Sequence, residues 1–255
     1  MDELLHSCDG GVVTLTLNRP EKRNALSASL LAALQSALDG LAGDRTARVV
    51  VIAANGPVFS SGHDLKEIRE LGDEERIERL FLACSRMMTT LGGLPQPVIA
   101  KVQGMATAAG CQLVAACDLA VASSSATFAT PGVNTGSFCA TPGVALSRVV
   151  SRKHALEMLL TGEPISAARA AEIGLVNRVV PPDRLDEETA SLARLLASKS
   201  ASALASGKRL FARQLEMPLR DAYALASGVI AESFVGADGR EGVAAFLEKR
   251  PPVWR

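Results

Sequence analysis

The chain has 255 residues, of which 27 are basic and 27 acidic, so its formal net charge is zero at pH 7. A chain of this length can form one large domain or two small ones, and it can bury a sizeable core. The balanced charge argues against nucleic acids and anionic membranes as partners, because both bind to basic surfaces.

The charges are spread unevenly along the chain. Charged residues make up 21% of the sequence, yet between Lys101 and Arg148 the only charged residue is Asp118. The chain is 48% hydrophobic but only 4% aromatic. Small apolar side chains with few aromatics predict closely packed helices, and the uncharged segment is the first indication of a ligand pocket.

The N-terminal residues do not resemble a targeting signal. Met1–Gly10 carries three acidic residues and no apolar run, unlike secretory signals and Arg-rich transit peptides. The uncharged segment is too rich in Ser, Thr, Pro and Gly to cross a membrane. The five cysteines are odd in number and form no C-x-x-C pair, so neither a disulfide framework nor a zinc site is expected. These features predict a protein of the reducing cytoplasm.

The first half of the chain alternates predicted strands and helices. Val12–Leu17 alternates apolar side chains with Thr, which is typical of a half-buried strand. Short apolar runs predict strands buried on both faces at Val49–Ala53, Val98–Val102 and Leu119–Ala122. Helices are predicted from a cap at Ser27 to about Leu41, at Glu74–Leu91 and at Ala108–Ala116. This order predicts a parallel sheet with crossover helices.

From Arg152 onward the chain is predicted to be mostly helical. A capped helix covers Ser166–Ile173, and Val179-Val180 forms a last short strand. Further helices are predicted at Leu185–Ser198, Ser200–Arg213, about Pro218–Phe234 and Gly239–Leu247. No internal repeat or low-complexity linker separates the two parts.

Several common catalytic motifs are absent from the sequence. It has no Walker loop, no G-x-G-x-x-G after a strand and no G-x-S-x-G elbow. Its three histidines have no metal-ligand spacing, so no metal is expected. Phosphate cradles, Rossmann redox chemistry, hydrolase triads and metalloprotease sites are therefore unsupported.

Two predicted strand-to-helix junctions are rich in small residues. Phe59–Lys66 follows the strand at Val49–Ala53, and Gly104–Gln112 follows the strand at Val98–Val102. In a parallel sheet both junctions lie at the carboxyl ends of strands, where ligands bind. Two backbone N–H groups aimed at one oxygen from such loops would form an oxyanion hole. The alternative is that the small residues only permit tight helix–strand packing.

A set of motifs in a fixed order makes the sequence resemble the enoyl-CoA hydratase/isomerase (crotonase) superfamily, and within it the subgroup called enoyl-CoA hydratase domain-containing proteins. The resemblance covers the chain from about Val12 to Arg250. The motifs are Asn18-Arg19-Pro20 with Asn24-Ala25-Leu26, Phe59-Ser60-Ser61-Gly62-x-Asp64-Leu65-Lys66, Ala109-Gly110-Cys111-x-Leu113 with Cys117-Asp118, Pro142-Gly143, Leu160-Thr161-Gly162 with Ile165-Ser166-Ala167, and Gly174-Leu175-Val176-Asn177-x-Val179-Val180-Pro181.

The resemblance implies an α/β fold of the crotonase (ClpP-like) type, a spiral of β-β-α units. Residues 1–195 would form this core with its CoA-thioester site. Residues 196–255 would form a helical C-terminal region that assembles three chains into a homotrimer, often paired into a hexamer. The implied ligand is an acyl-CoA or enoyl-CoA, with coenzyme A as part of the substrate and no separate cofactor.

The resemblance also assigns the site residue by residue. The N–H groups of His63 and Ala109 would polarise the thioester carbonyl and hold the enolate. The adenine of CoA would lie against the segment Phe59, Ser60 and Ser61. Lys22, Arg23 and Lys66 stand where the family has cations that contact CoA phosphates, although they could equally be solvated surface cations.

The sequence departs from the family at both acid–base positions. The hydratase reaction uses two glutamates, one that deprotonates water and one that protonates the α-carbon. The first position, two residues after the glycine of the A-G-C motif, is Gln112 here. The second lies twenty residues further on and is Gly132, directly after Pro131. Both positions fall within the uncharged segment, so efficient hydration is not expected.

Other side chains could take part. The resemblance places Asn134, Cys139 and Thr141 along the acyl pocket, and Asn134 or Thr130 could form hydrogen bonds there. Cys139 is either a nucleophile with a lowered pKa or a small buried thiol. The imidazole of His63 could act as an acid or base.

Two aspartates are assigned structural roles, because Asp64 is placed to cap a helix that begins at Leu65 and Asp118 ends a helix before a strand.

Three functions stay open at this point. The first is an acyl-CoA enzyme that stabilises a thioester enolate with its oxyanion hole. The second is a non-catalytic acyl-CoA binder or a regulatory homologue of active enzymes. The third is a CoA-thioester hydrolase, or an enzyme of C–C cleavage, that needs only the oxyanion hole and a side chain such as His63 or Cys139.

Overall fold

Two sheets form the frame of the protein, for which the computed structural model describes residues 2–254. The strands are β1 (Leu4–Asp9), β2 (Val12–Leu17), β3 (Val49–Ala54), β4 (Val58–Ser60), β5 (Val98–Val102), β6 (Met105–Thr107), β7 (Leu119–Ser123), β8 (Thr127–Ala129), β9 (Ile165–Ser166) and β10 (Arg178–Val180). The helices are α1 (Ala28–Ala42), α2 (Leu65–Leu71), α3 (Glu74–Gly93), α4 (Ala109–Ala116), α5 (Ala140–Val149), α6 (Arg152–Thr161), α7 (Ala167–Glu172), α8 (Leu185–Ala197), α9 (Ala201–Gln214), α10 (Leu219–Val235) and α11 (Ala237–Glu248).

The larger sheet has six strands in the order β1-β2-β3-β5-β7-β10. Strand β1 pairs antiparallel with β2, and every other pair in this sheet is parallel. The predicted apolar runs form its centre, and they are buried on both faces as expected. One face packs against the main core, and α8 covers the other with Leu185, Leu192 and Ala193.

The smaller sheet has the order β4-β6-β8-β9. Each pass of the chain supplies one strand to the larger sheet and the next strand to the smaller one, and then a helix. The passes are β3–β4 with α2 and α3, β5–β6 with α4, and β7–β8 with α5. This repeated unit confirms the predicted spiral of β-β-α turns.

Several elements escaped the sequence prediction. Strand β1, the three-residue strands of the smaller sheet and helices α5 and α6 were not predicted. The predicted helix caps are confirmed, since Ser27 accepts the N–H of Leu30 and Asp64 accepts the N–H groups of Lys66 and Glu67. Within residues 2–254, no helix is both long enough and apolar enough to cross a membrane.

The C-terminal region is helical from α8 to α11, as predicted. The proposed boundary at 195/196 falls inside the last turn of α8. Helices α9–α11 expose large apolar side chains to an unusual degree, among them Phe211, Leu219, Tyr223, Phe246 and Leu247.

A partly buried ion pair joins helix α9 to the core. The Nζ of Lys208 donates to the carboxylate of Asp118 at 2.5 Å and to the Gln96 carbonyl at 3.0 Å. The same carboxylate oxygen accepts the N–H of Val98 at 2.7 Å. Asp118 therefore has the structural role that the sequence predicted.

Candidate functional site

The two small-residue junctions lie side by side. They come after the strands β3 and β5 of the larger sheet, as the sequence predicted, and they also include the short strands β4 and β6 of the smaller sheet, which it did not predict. Because β4 and β6 are parallel neighbours, their carboxyl ends lie at one edge. His63 comes just after β4, and Ala109 comes just after β6 and begins α4.

Glycines allow these junctions to touch. A methyl group at Gly110 would lie 2.3 Å from the carbonyl oxygen of Ser60. One at Gly62 would lie 3.1 Å from the backbone nitrogen of Ala109. The nitrogen of Ala109 thus lies against the residue that precedes His63. The glycines bring the two predicted oxyanion donors into neighbouring positions.

Neither predicted oxyanion donor is used elsewhere. Within residues 2–254, the N–H groups of His63 and Ala109 donate no hydrogen bond to another backbone group. Ala109 is the first residue of α4, where N–H groups are free and the helix dipole is positive. The free N–H groups of adjacent loops are what an oxyanion hole requires.

Ala108, which precedes the second predicted donor, has a strained backbone. Its φ of 51° and ψ of −120° form a combination that residues with a side chain rarely adopt. The conformation is fixed by a 2.9 Å hydrogen bond from the Ala108 N–H to the carbonyl of Ala129. Such strain concentrates at functional sites, where it orients a reacting group.

The imidazole of His63 is half-buried, with both ring nitrogens shielded from solvent, and its lowered pKa favours the neutral form. Its ring meets the ring of Phe81 edge-on, with centroids 4.6 Å apart. Neither ring nitrogen has a hydrogen-bond partner among the described residues. Burial lowers the pKa of His63, and the neighbouring backbone of Leu26 offsets only part of this effect. The side chain therefore offers one neutral donor and one acceptor near pH 7.

Two further polar side chains near the junctions are buried without partners. Gln112 lies one turn into α4, and its Oε1 atom has no hydrogen-bond partner in residues 2–254. The hydroxyl of Thr130, which follows β8, is also buried and unpaired in the described part of the chain. An unpaired buried polar group costs about 1–3 kcal/mol, so these groups favour a polar ligand.

Gly132 and Cys139 are in direct contact. The Gly132 N–H donates to the sulfur of Cys139 at 3.2 Å. Burial raises the pKa of the Cys139 thiol, and the hydrogen bond from Gly132 opposes this only in part. Cys139 is therefore a thiol near pH 7, which supports its structural interpretation over a nucleophilic one.

The segment assigned to adenine offers little side-chain surface. The ring of Phe59 is completely buried in the main core. Ser60 is also buried, and its hydroxyl donates to the carbonyl of Asn24 at 2.9 Å. Only Ser61 is partly exposed. A ligand can therefore contact this segment through Ser61 and through backbone atoms, but not through the Phe59 ring.

The assigned cations are exposed. Lys22 and Arg23 form no ion pair within residues 2–254, and Lys66 lies 3.9 Å from Glu70. Asn134 is exposed in the short 3-10 helix Pro131–Thr135, which also contains Gly132, and Thr141 lies in the first turn of α5. The contacts of these five residues with a ligand stay predictions.

Sequence reasoning missed two residues that shape the site. Phe81 covers the His63 ring, although it lies in a helix whose apolar spacing indicated only packing. Asn24 is buried, and its side chain donates to the carbonyls of Asn55 and Val58 at 2.9 and 2.8 Å. A buried Asn among apolar neighbours was the available signal, since such a residue needs hydrogen bonds.

Comparisons with known proteins agree on one family. A model of the enoyl-CoA hydratase/isomerase family matches residues 7–255. The chain is 51% identical over 244 residues to the human protein named enoyl-CoA hydratase domain-containing protein 3, mitochondrial, with 96% of this chain and 80% of the human chain covered. The Xenopus laevis protein of the same name is 52% identical over 245 residues, covering 96% of this chain and 83% of the frog chain.

Solved structures give the same result. The crystal structure of an enoyl-CoA hydratase from Mycobacterium smegmatis superposes with a TM-score of 0.98 at 53% identity, covering 100% of this chain and 99% of that one. The human domain-containing protein 3 superposes with a TM-score of 0.97 at 49% identity, covering 99% of this chain and 100% of that one. The chain belongs to the enoyl-CoA hydratase/isomerase family.

Proposed function

We propose that this site binds an acyl-CoA thioester and stabilises the enolate form of its acyl group. The observation that carries the proposal is the pair of free N–H groups on His63 and Ala109, which belong to touching loops. The thioester oxygen would accept both hydrogen bonds. Two preorganised donors stabilise negative charge on that oxygen more strongly than they stabilise the neutral carbonyl.

Efficient hydration of a double bond does not fit this site. General acid–base groups contribute about 10²–10⁴ in rate each. Gln112 can bind a water molecule but cannot take its proton, and Gly132 can do neither. The neutral imidazole of His63 belongs to the same residue as one of the proposed oxyanion donors, and we propose it as the group that hydrogen-bonds the ligand or exchanges a proton with it.

The state of Cys139 argues against hydrolysis through a covalent thioester. A nucleophilic cysteine needs a lowered pKa, whereas burial raises the pKa of Cys139. Its sulfur also accepts the N–H of Gly132. We therefore do not propose the hydrolase function.

A second candidate is C–C cleavage of an acyl-CoA that carries a carboxylate on its α-carbon. The bond between the α-carbon and the carboxylate breaks, its electron pair forms the enolate, and CO₂ leaves. The α-carbon then takes a proton from water, which leaves hydroxide to be neutralised by the solvent. This reaction needs no base, and the neutral Gln112 and Gly132 present no charge that repels the carboxylate. The one acidic group between Lys101 and Arg148 is Asp118, which is paired with Lys208.

The remaining assignments complete this proposal. Ser61, Lys22, Arg23 and Lys66 would contact the CoA moiety, and Asn134 and Thr141 would border the acyl chain. The five cysteines are free thiols, as expected in the cytoplasm that the sequence predicts. The mitochondrial names of the vertebrate relatives describe those proteins.

Three copies of the chain would associate through the apolar face of α9–α11. Phe246 and Leu219 are 83% and 74% exposed in the single chain, which is unusual for a monomer. Light scattering is expected to give the mass of a trimer or a hexamer of the 26.6 kDa chain. A monomeric mass at micromolar concentration would contradict this arrangement.

One binding and turnover experiment tests the proposed site. The purified protein is mixed with crotonyl-CoA, butyryl-CoA, methylmalonyl-CoA and 2,4-hexadienoyl-CoA, whose absorbance shifts to longer wavelength when its carbonyl is polarised. We expect binding with a red shift of the dienoyl spectrum, and crotonyl-CoA hydration at least about 10⁴-fold slower than in a relative with both glutamates.

The outcomes separate the candidate functions. Release of CO₂ from methylmalonyl-CoA supports C–C cleavage. Binding with a red shift but no turnover of any thioester supports the non-catalytic binder. Fast hydration that Gln112→Ala abolishes would show that the missing glutamates are not needed. Failure to bind any CoA thioester would overturn the proposed function itself.

A further inference from the structure

The glycine at position 132 is required by space and not by backbone conformation. Its φ lies outside the left-handed region, so the backbone there suits any residue. However, a methyl group on Gly132 would lie 2.8 Å from the backbone nitrogen of Cys139, 3.0 Å from its sulfur and 3.1 Å from the carbonyl carbon of Phe138. The first of these atoms belongs to the backbone, which yields less easily than the end of a side chain.

The loop between these two residues is closed on itself. The carbonyl of Gly132 accepts the N–H of Ser137 at 3.0 Å and the hydroxyl of Thr135 at 2.9 Å. Its N–H donates to the sulfur of Cys139. Both polar groups of the Gly132 backbone are thus held by the segment that occupies the space beside its α-carbon.

Cys139 anchors this segment to the core. Residues 134–138 are all exposed, whereas Cys139 is buried at the start of α5. The carbonyl of Cys139 accepts the N–H of Gly143 inside that helix. Among residues 132–139, Cys139 has the one buried side chain, whereas Val133 is half-buried against Gly162 and residues 134–138 are exposed.

We propose that Cys139 is a positioning residue that determines which reaction the site performs, because it holds the 138–139 peptide where a side chain at position 132 would begin. This inference rests on the proposed thioester site. Position 132 cannot take an acid–base group while Cys139 is in place. The lack of hydratase activity then results from Gly132 and Cys139 together, and not from Gly132 alone.

Restoring the two glutamates with and without the thiol tests this inference. The variants are Gln112→Glu with Gly132→Glu, and the same pair with Cys139→Ala. We expect the pair to hydrate crotonyl-CoA less than tenfold faster than the parent protein. The triple variant should gain at least about 10²-fold over the pair. Its kcat should also fall at acidic pH as the glutamates protonate, a profile that a purely structural effect would not create.

Dienoyl-CoA binding, measured in every variant, separates two kinds of failure. If neither the parent protein nor any variant binds, the proposed function fails. If binding is intact and the pair hydrates as fast as the triple variant, or the triple variant does not hydrate, the role of Cys139 is wrong.

A double-mutant cycle with smaller side chains is the alternative test if the variant with both glutamates does not fold. Gly132→Ala should lower the thermal unfolding midpoint clearly in the parent protein and by less than half as much in Cys139→Ala. Equal losses in the two backgrounds would also overturn the inference.

Discussion

Ala109→Pro should abolish carbonyl polarisation while leaving CoA binding largely intact. Proline lacks the N–H that we assign to the oxyanion hole, and it is well tolerated at the first position of a helix. Loss of one oxyanion donor typically reduces turnover by about 10²–10³. The expected result is a dienoyl-CoA spectrum without its red shift, and an equal loss in any enolate-dependent turnover.

A matched change elsewhere controls for the proline itself. Ala201 is the first residue of α9, so Ala201→Pro makes the same substitution at the same helical position away from the site. Its preceding residue, Ser200, has a ψ of 123°, which suits a following proline. Ala201→Pro should keep the red shift.

Ala108 complicates the test, because its strained backbone precedes the new proline. The double variant Ala108→Gly with Ala109→Pro relaxes that strain, since glycine adopts positive φ freely. Far-ultraviolet circular dichroism shows which variants are folded. A folded variant that lacks the Ala109 N–H but retains the full red shift would show that this group does not polarise the carbonyl.

The sequence predicted the larger sheet well because its signal is strong and local. Runs such as Val49–Ala53 have few charges and many β-branched residues, as a doubly buried strand requires. The strands of the smaller sheet have three residues or fewer, too short to show a period. Helix α5 was not predicted; it contains Pro142 and Gly143, two poor helix formers, although proline is acceptable in a first turn.

The approach of the two junctions was predictable from the sequence, but the side-chain contacts around them were not. The small-residue junctions indicated where two backbone donors could meet, because close approach needs glycine. The family resemblance, and not the spacing, assigned those donors to His63 and Ala109. The contact between Gly132 and Cys139 depends on how the intervening loop closes. The pairing of Lys208 with Asp118 depends on where α9 lies against the core. Neither arrangement follows from residue types or spacing alone.

Lys208→Met should destabilise the fold by about 2–4 kcal/mol, because it leaves the carboxylate of Asp118 without its cation. This loss is smaller than that expected for a fully buried ion pair, because the Asp118 side chain is 27% exposed. Burial already raises the pKa of Asp118 despite the attraction of Lys208. Without Lys208 the pKa should rise further. Urea unfolding at neutral pH measures the loss.

The pH dependence of that loss identifies its cause. An acid whose pKa is raised by folding binds its proton more tightly in the folded state, so it destabilises the fold at pH values above that pKa and less below it. The deficit of Lys208→Met against the parent protein should therefore shrink as the pH falls towards the usual range of aspartate. A deficit that is constant with pH would indicate lost packing of the lysine stem instead.

Two further variants test whether the unpaired charge of Asp118 causes the loss of stability. Asp118→Asn added to Lys208→Met removes the uncompensated charge and keeps an oxygen for the Val98 N–H, so it should recover most of the stability. Lys101→Met is the matched control, because it breaks the ion pair between Lys101 and Asp186, whose charged atoms lie 2.6 Å apart. The side chain of Asp186 is 86% exposed, so this substitution should lower the free energy of unfolding by less than about 1 kcal/mol. If both lysine substitutions lower the free energy of unfolding equally, the burial of Asp118 does not explain the stabilising effect of its pair with Lys208. If the double variant stays as unstable as Lys208→Met, the uncompensated charge is not the cause.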